Sequence, residues 1–183
     1  QMSGTETELD KNVIEQIGDP LKHMIRNSID HGIESPEERK RLGKPPEGTI
    51  RLRAFQREGN IFIEISDDGR GINGQKVLDK AIEKGLAEPG KNYSEKEIFE
   101  MLFAPGLSTA EKVSELSVRG VGMDVVKKNI EELHGTIEII SEEGKGSTFR
   151  IKLPLTLAII DGMMVRVGKE VLTIPLSVID KSV

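Results

Sequence analysis

The sequence predicts an α+β fold in which helices cover one face of a sheet, and three observations carry that expectation. Strand-like segments come in adjacent pairs, 49–57 with 61–67 and 136–140 with 147–153, each alternating apolar and polar residues around a glycine-containing turn. Segments with helical period stand outside these pairs, so the two kinds of element are segregated along the chain. The chain has 183 residues, 36% of them hydrophobic, which suits one domain, or one domain with a fragment of a second.

Taken in order, residues 10–31 read as helical, with a restart at Gly18-Asp19-Pro20, where Asp19 caps and Pro20 occupies the first turn. Leu21, Ile25 and Ile29 form an apolar stripe at four-residue spacing, joined by Met24 and Ser28. Ser35-Pro36-Glu37-Glu38 is a capping box that opens a short helix over 37–42, and Gly43-Lys44-Pro45-Pro46-Glu47-Gly48 is loop. The first hairpin turns at Glu58-Gly59-Asn60. Helices follow over 74–84 and 94–103, with Pro89-Gly90 in the loop between them. Residues 104–122 show no steady period and are rich in Gly, Ser, Thr and charge, the mark of a functional loop. A helix over 123–134 turns Met123, Val126, Ile130 and Leu133 to one side, and Gly135 is expected to end it as a left-handed cap. The second hairpin turns at Glu143-Gly144-Lys145-Gly146. Beyond Pro154 a further strand pair, 157–167 with 170–175, has no place in the preceding order.

Composition excludes several classes. Without cysteine there is no disulfide, thiolate metal site or cysteine nucleophile, which fits a reducing compartment. The longest apolar run, Leu157 to Ile160, is far short of the roughly 20 residues of a membrane span. Residues 1–10 carry three acids and no apolar stretch, so no signal peptide is expected. A net charge of -5 argues against non-specific nucleic-acid binding.

Four motifs carry chemistry. His23, Asn27 and His31 are spaced by four, with Asp30 three beyond Asn27, so a helix gathers two imidazoles, an amide and a carboxylate on one strip. Asp67-Asp68-Gly69-Arg70-Gly71 ends a strand; a carboxylate there can accept from an exocyclic amino group, and the glycines would let a flat ring approach the backbone. Arg119-Gly120-Val121-Gly122-Met123 opens the helix after the long loop, where unpaired N–H groups and the helix dipole favour phosphate. Gly144-Lys145-Gly146-Ser147-Thr148 adds a glycine turn and a hydroxyl beside the last strand of the second hairpin. Singly, each is also an ordinary surface, turn or helix start.

In this order the four resemble the N, G1, G2 and G3 boxes of the GHKL (Bergerat-fold) ATP-binding superfamily. Residues 23–34 (HMIRNSIDHGIE), 102–109 (LFAPGLST), 119–126 (RGVGMDVV) and 153–158 (LPLTLA) extend the match to the kinase domain of chemotaxis histidine kinases of the CheA family, across about residues 4–158. Leu107 departs from the Phe common in that family, which bears on how the lid packs. The resemblance implies a two-layer α/β sandwich of the Bergerat type with a mixed sheet and helices on one face. Residues 1–154 would form the ATP-binding domain, and 155–183 a linker with the first strands of a truncated CheW-like regulatory domain; isolated copies would be monomeric or associated through the 155–183 strands.

The same resemblance implies roles. Asp67 would recognise adenine, with Gly69, Gly71 and Thr148 near the base. Asn27 would hold Mg²⁺ that bridges the phosphates, the Gly120 and Gly122 amides and Met123 would line the phosphate site, and Asp30, His31, Ser108 and Thr109 would border the nucleotide. Lys76 and Lys80, four apart on a helix, would reach the phosphates, and 104–119 would be a lid over ATP. Position 23 holds His where many ATPases of the superfamily place a Glu that activates water. That substitution favours phosphoryl transfer to a protein histidine over hydrolysis, with His23 orienting or deprotonating the acceptor imidazole or helping to polarise the γ-phosphate. The implied partners are a separate histidine phosphotransfer domain, acting in trans within the dimer, a CheW-like coupling protein and chemoreceptors. The implied location is the cytoplasm, recruited to membrane receptor arrays without insertion. A hydrolytic GHKL ATPase and a nucleotide-binding module without turnover are the alternatives.

Overall fold

The computed structural model describes residues 2–3, 11–107, 122–155, 162–168 and 170–175. Strands β1 (Met2–Ser3), β2 (Ile50–Arg57), β3 (Asn60–Asp67), β4 (Thr136–Glu142) and β5 (Gly146–Pro154) form one sheet in the order β1-β2-β3-β5-β4. Its pairs are antiparallel except β1 with β2, so the sheet is mixed, as expected. The two residues of β1 are too few to show any period in the sequence. The β2–β3 turn places Glu58 and Gly59 at φ 51° and 69°, the pair of positive values that a two-residue hairpin requires.

Period-two alternation decides which face is core. Ile61, Ile63 and Ile65 of β3 and Phe149, Ile151 and Leu153 of β5 all turn to one side and are buried. Helices α1 (Lys11–Asn27), α4 (Glu95–Glu100) and α5 (Met123–Glu132) pack there through Ile17, Met24, Phe99, Val126 and Ile130, with Phe103 from a 3₁₀ turn (Met101–Phe103). The opposite face is polar and aromatic. Arg150 bridges Glu64 (2.7 Å) and Glu138 (2.9 Å), and Phe55 stacks on Phe62 at 5.3 Å between ring centres. The Glu64 carboxylate, with Glu138 beside it, holds the Arg150 guanidinium above its ordinary value.

Three details differ from the sequence reading. Helix α1 does not restart at Pro20 but runs through it. Proline there forfeits one helical hydrogen bond, while its ring is fully buried in the core, and packing outweighs the local preference. After Asn27 the chain winds into a wider π-turn (Ser28–Gly32), closed by the Ile33 N–H on the Ser28 carbonyl at 2.8 Å. That turn breaks the four-residue register. The buried line is Ile17, Met24 and Ser28, whereas Leu21 and Ile25 are half-buried and Ile29 is 57% exposed. At the end of α5 the left-handed residue is His134 (φ 56°), not Gly135. The His134 N–H meets the Glu131 carbonyl (2.8 Å) and the Gly135 N–H the Ile130 carbonyl (2.9 Å), which is a Schellman closure. Gly135 is required for closeness instead, since a Cβ would stand 2.8 Å from the Lys152 carbonyl oxygen.

Helix α2 (Pro36–Arg41) starts as expected, with Ser35 Oγ accepting the Glu38 N–H at 3.2 Å. Helix α3 (Gly74–Glu83) is capped by Asn73 and builds a second small core from Val77, Ala81, Ala87 and Leu107. Leu107 is 1% exposed, so the first residues of the segment expected to form the lid are anchored in that core. Leu107→Ala is expected to destabilise the domain by about 2–5 kcal/mol in urea unfolding. Strands β6 (Gly162–Val167) and β7 (Glu170–Pro175) pair with each other in a separate two-stranded sheet, so each is the other's partner.

Candidate functional site

The site is built on Asp67, the last residue of β3. Alternation puts it on the face of Ile61, Ile63 and Ile65, so the strand that forms the core delivers a carboxylate into the helical layer. Three donors hold it. The Gly69 N–H (3.0 Å) and the Ser147 N–H (3.3 Å) donate to Oδ1, and the Ser28 hydroxyl donates to Oδ2 (3.0 Å). Burial pushes the Asp67 carboxyl above its ordinary value, more than these donors pull it down.

Close backbone approaches surround the carboxylate and account for the glycines. A Cβ on Gly69 would lie 2.1 Å from the Gly32 carbonyl oxygen, and one on Gly71 would lie 2.2 Å from that of Glu142. The Gly69 and Gly71 positions are therefore filled by protein backbone, from the π-turn after α1 and from the β4–β5 turn. The Arg70 N–H donates to the Gly32 carbonyl (2.9 Å) and the Gly144 N–H to the Arg70 carbonyl (2.7 Å), which joins three of the four motifs.

An open cleft reaches Asp67 between the β4–β5 turn and the start of α4, bordered by Ser141, Lys145, Ser147 and Glu95. Thr148 also borders this cleft, but its hydroxyl donates to Ser66 Oγ (3.0 Å) on the far face of the sheet. The neighbour of Asp67 is Ser147, whose hydroxyl lies 3.1 Å from Ser141 Oγ. Strand parity contains this signal, because Ser147 falls in line with Phe149, Ile151 and Leu153. Ser28 was legible only as a polar interruption of an apolar stripe; its partner 39 positions away is what makes it part of the site.

Across the helical layer, Asn27 and Met123 meet. The Asn27 amide Nδ2 donates to the Met123 thioether at 3.2 Å, linking the end of α1 to the start of α5. Helix α5 begins after Gly122, which has no side chain with which to cap the first N–H groups. A Cβ on Gly122 would stand 2.3 Å from Asp124 Oδ1, so a larger residue there would require that carboxylate to turn away. His23, one turn before Asn27, is half-buried. Burial, with the Arg26 guanidinium adding to it, holds its imidazole below the ordinary histidine value, so it is neutral near pH 7.

Other expected residues are less gathered. Asp30 and His31 are exposed on the π-turn. Lys76 is exposed and Lys80 half-buried on α3. Ser108, Thr109 and Gly120, with most of the expected lid, lie outside the described residues. Among the described residues, no cluster of three or more His, Asp or Glu groups could hold a metal by itself. No described helix is long and apolar enough to cross a membrane.

One feature had no signal in the sequence. Glu34 and Arg39, side chains 0% and 1% exposed, pair at 3.0 Å behind the Asp67 turn. Lys44 joins Glu34 at 2.7 Å, and Arg39 reaches Asp68 Oδ2 at 3.1 Å. Burial works against the Glu34 charge, yet the Lys44, backbone and Arg39 contacts outweigh it and hold the carboxyl below its ordinary value. Asp68 is held low in the same way, against burial, by the Thr49 N–H and Arg39.

A family model described as histidine kinase-, DNA gyrase B-, and HSP90-like ATPase matches residues 16–157, which include Asn27, Asp67, Gly122 and Ser147. The chain belongs to that family. Within this ATPase family its relatives include chemotaxis protein CheA of Treponema pallidum, 55% identical over 99% of this chain, and that of Cereibacter sphaeroides, 56% identical over 96%. Sensor histidine kinase CheAY of Helicobacter pylori is 53% identical over 96%. The chain spans 22%, 26% and 22% of these three proteins, about a quarter of their length.

Proposed function

We propose that this domain binds MgATP and transfers its γ-phosphoryl group to a histidine on a separate phosphotransfer domain, as part of a chemotaxis kinase. The observation that carries the reading is Asp67, a buried carboxylate fixed by three donors at the mouth of a cleft, suited to accept the exocyclic amine of adenine. Gly120, Gly122 and Met123 would line the phosphates at the start of α5, with Lys76, Lys80, Asp30, His31, Ser108 and Thr109 as the nearby polar groups. Asn27 fits a hard cation, since its nitrogen donates to Met123 and its side-chain oxygen is a donor atom of the kind such a cation takes. Asn27 would hold Mg²⁺, which would supply charge neutralisation at the phosphates.

His23 separates the kinase from its alternatives. In the transfer, a nitrogen lone pair of the acceptor imidazole forms a bond to the γ-phosphorus as the bond to the β,γ-bridging oxygen breaks, and ADP leaves. The acceptor's other nitrogen then releases its proton. A neutral His23 can receive that proton, whereas a hydrolase of this family would use a carboxylate here to activate water. The partners that complete this function are the phosphotransfer domain, a CheW-like coupling protein and chemoreceptors, with residues 155–183 leading into the regulatory domain.

Incubation with γ-labelled ATP, Mg²⁺ and a CheA-type phosphotransfer domain tests the proposal. Label on the histidine of the added domain is the expected result, and free phosphate without protein label would favour the hydrolase. His23→Gln is expected to slow transfer about 100-fold while ATP affinity stays within about twofold. Full transfer in that variant would remove His23 from the mechanism.

A further inference from the structure

We propose that Lys44 and Arg39 are positioning residues for nucleotide recognition, orienting the Asp67 carboxylate through the Asp68–Gly69 peptide plane. The inference rests on the reading of Asp67 as the group that meets the base. A trans peptide unit is planar, so the Asp68 carbonyl and the Gly69 N–H project from opposite edges of one rigid plate. Lys44 Nζ (3.0 Å) and Arg39 Nη1 (3.2 Å) donate to that carbonyl. The N–H on the other edge donates to Asp67 Oδ1 at 3.0 Å. Fixing one edge fixes the direction of the other.

The surrounding bonds keep the plate from turning. Lys44 also donates to the Gly69 carbonyl at 2.7 Å, so the peptides on both sides of Gly69 are held by one ammonium group. Arg39 Nη2 and the Thr49 N–H (2.8 Å) hold the two oxygens of the Asp68 side chain. An external clamp is needed because position 69 admits only glycine, with the Gly32 carbonyl 2.1 Å from where a Cβ would stand, and glycine does not restrict its own backbone. Cations on the carbonyl also polarise the amide, which strengthens its N–H as a donor. Glu34 bridges Lys44 and Arg39 from behind and keeps both cations in place.

The test uses Lys44, because Arg39 is too deeply buried to change without risk to the fold. In Lys44→Met, at a temperature where circular dichroism shows the protein folded, the Gly69 amide proton is expected to move upfield in NMR and to exchange faster. Affinity for ATP is expected to fall about tenfold, with little change for inosine triphosphate, which carries a carbonyl in place of the exocyclic amine. Lys44→Arg should restore both readouts. A lysine that only supported the fold would lower both affinities alike and leave their ratio unchanged. An unmoved Gly69 amide, or an unchanged ratio of ATP to inosine triphosphate affinity, would overturn the proposal. A wild-type protein without preference between the two nucleotides would instead sink the adenine reading, and the Gly69 amide would still decide the positioning.

Discussion

Asp67→Asn is expected to weaken ATP binding about 10- to 150-fold and to leave the domain folded. The amide keeps the shape of the carboxylate, and its oxygen can still accept the Gly69 and Ser147 N–H groups. The NH₂ then stands where Oδ2 was, and it meets the exocyclic amine of adenine donor to donor. Stability should move the other way. The Asp67 carboxyl lies above its ordinary value in the folded state because of burial, so its contribution is complete at low pH and lost as pH rises through the raised value. Ionised Asp67 is thus a cost near neutrality that Asn removes. The variant is expected to match or exceed wild-type stability in urea at pH 7, with the difference closing below about pH 4. A variant that unfolded at pH 7 would show that the carboxylate is structural.

Arg39→Met should be the most destabilising single change, at about 3–5 kcal/mol, because it leaves a buried carboxylate short of its partner. Glu34 is fully enclosed, and Arg39 ties it to the Pro45 and Asp68 carbonyls and to the Asp68 side chain. Equilibrium unfolding in urea would measure the loss. The pH dependence has a definite sign. Glu34 and Asp68 are both held below their ordinary values, so they contribute stability above the unfolded carboxylate range and lose it as pH falls through the folded values. The wild-type domain is expected to lose stability on acidification below about pH 4, and Arg39→Met to show a shallower loss.

The hairpins, the short capped helix and the order of elements were legible because alternation, glycine turns and capping boxes are local signals. Asn27, Asp67 and Gly122 were legible because their motifs are contiguous. What was not legible depends on partners distant in the chain. Pro20 reads as a break until the core that buries it is known, and the π-turn that carries Ile29 to solvent has no period of its own. Ser28 and Ser147 acquire meaning only from the Asp67 carboxylate, and strand parity turns the Thr148 hydroxyl to Ser66. Glu34, Arg39 and Lys44 look like ordinary solvated charges in a polar stretch. Only the return of β3 beside them turns those charges into a buried cluster.

The proposed function depends above all on Asp67 reading the exocyclic amine of the base. Calorimetric titration of the wild-type domain with ATP and with inosine triphosphate, both with Mg²⁺, tests this most directly. It predicts at least about tenfold tighter binding of ATP, the worth of one hydrogen bond to a charged acceptor. Equal affinity for the two nucleotides would contradict it.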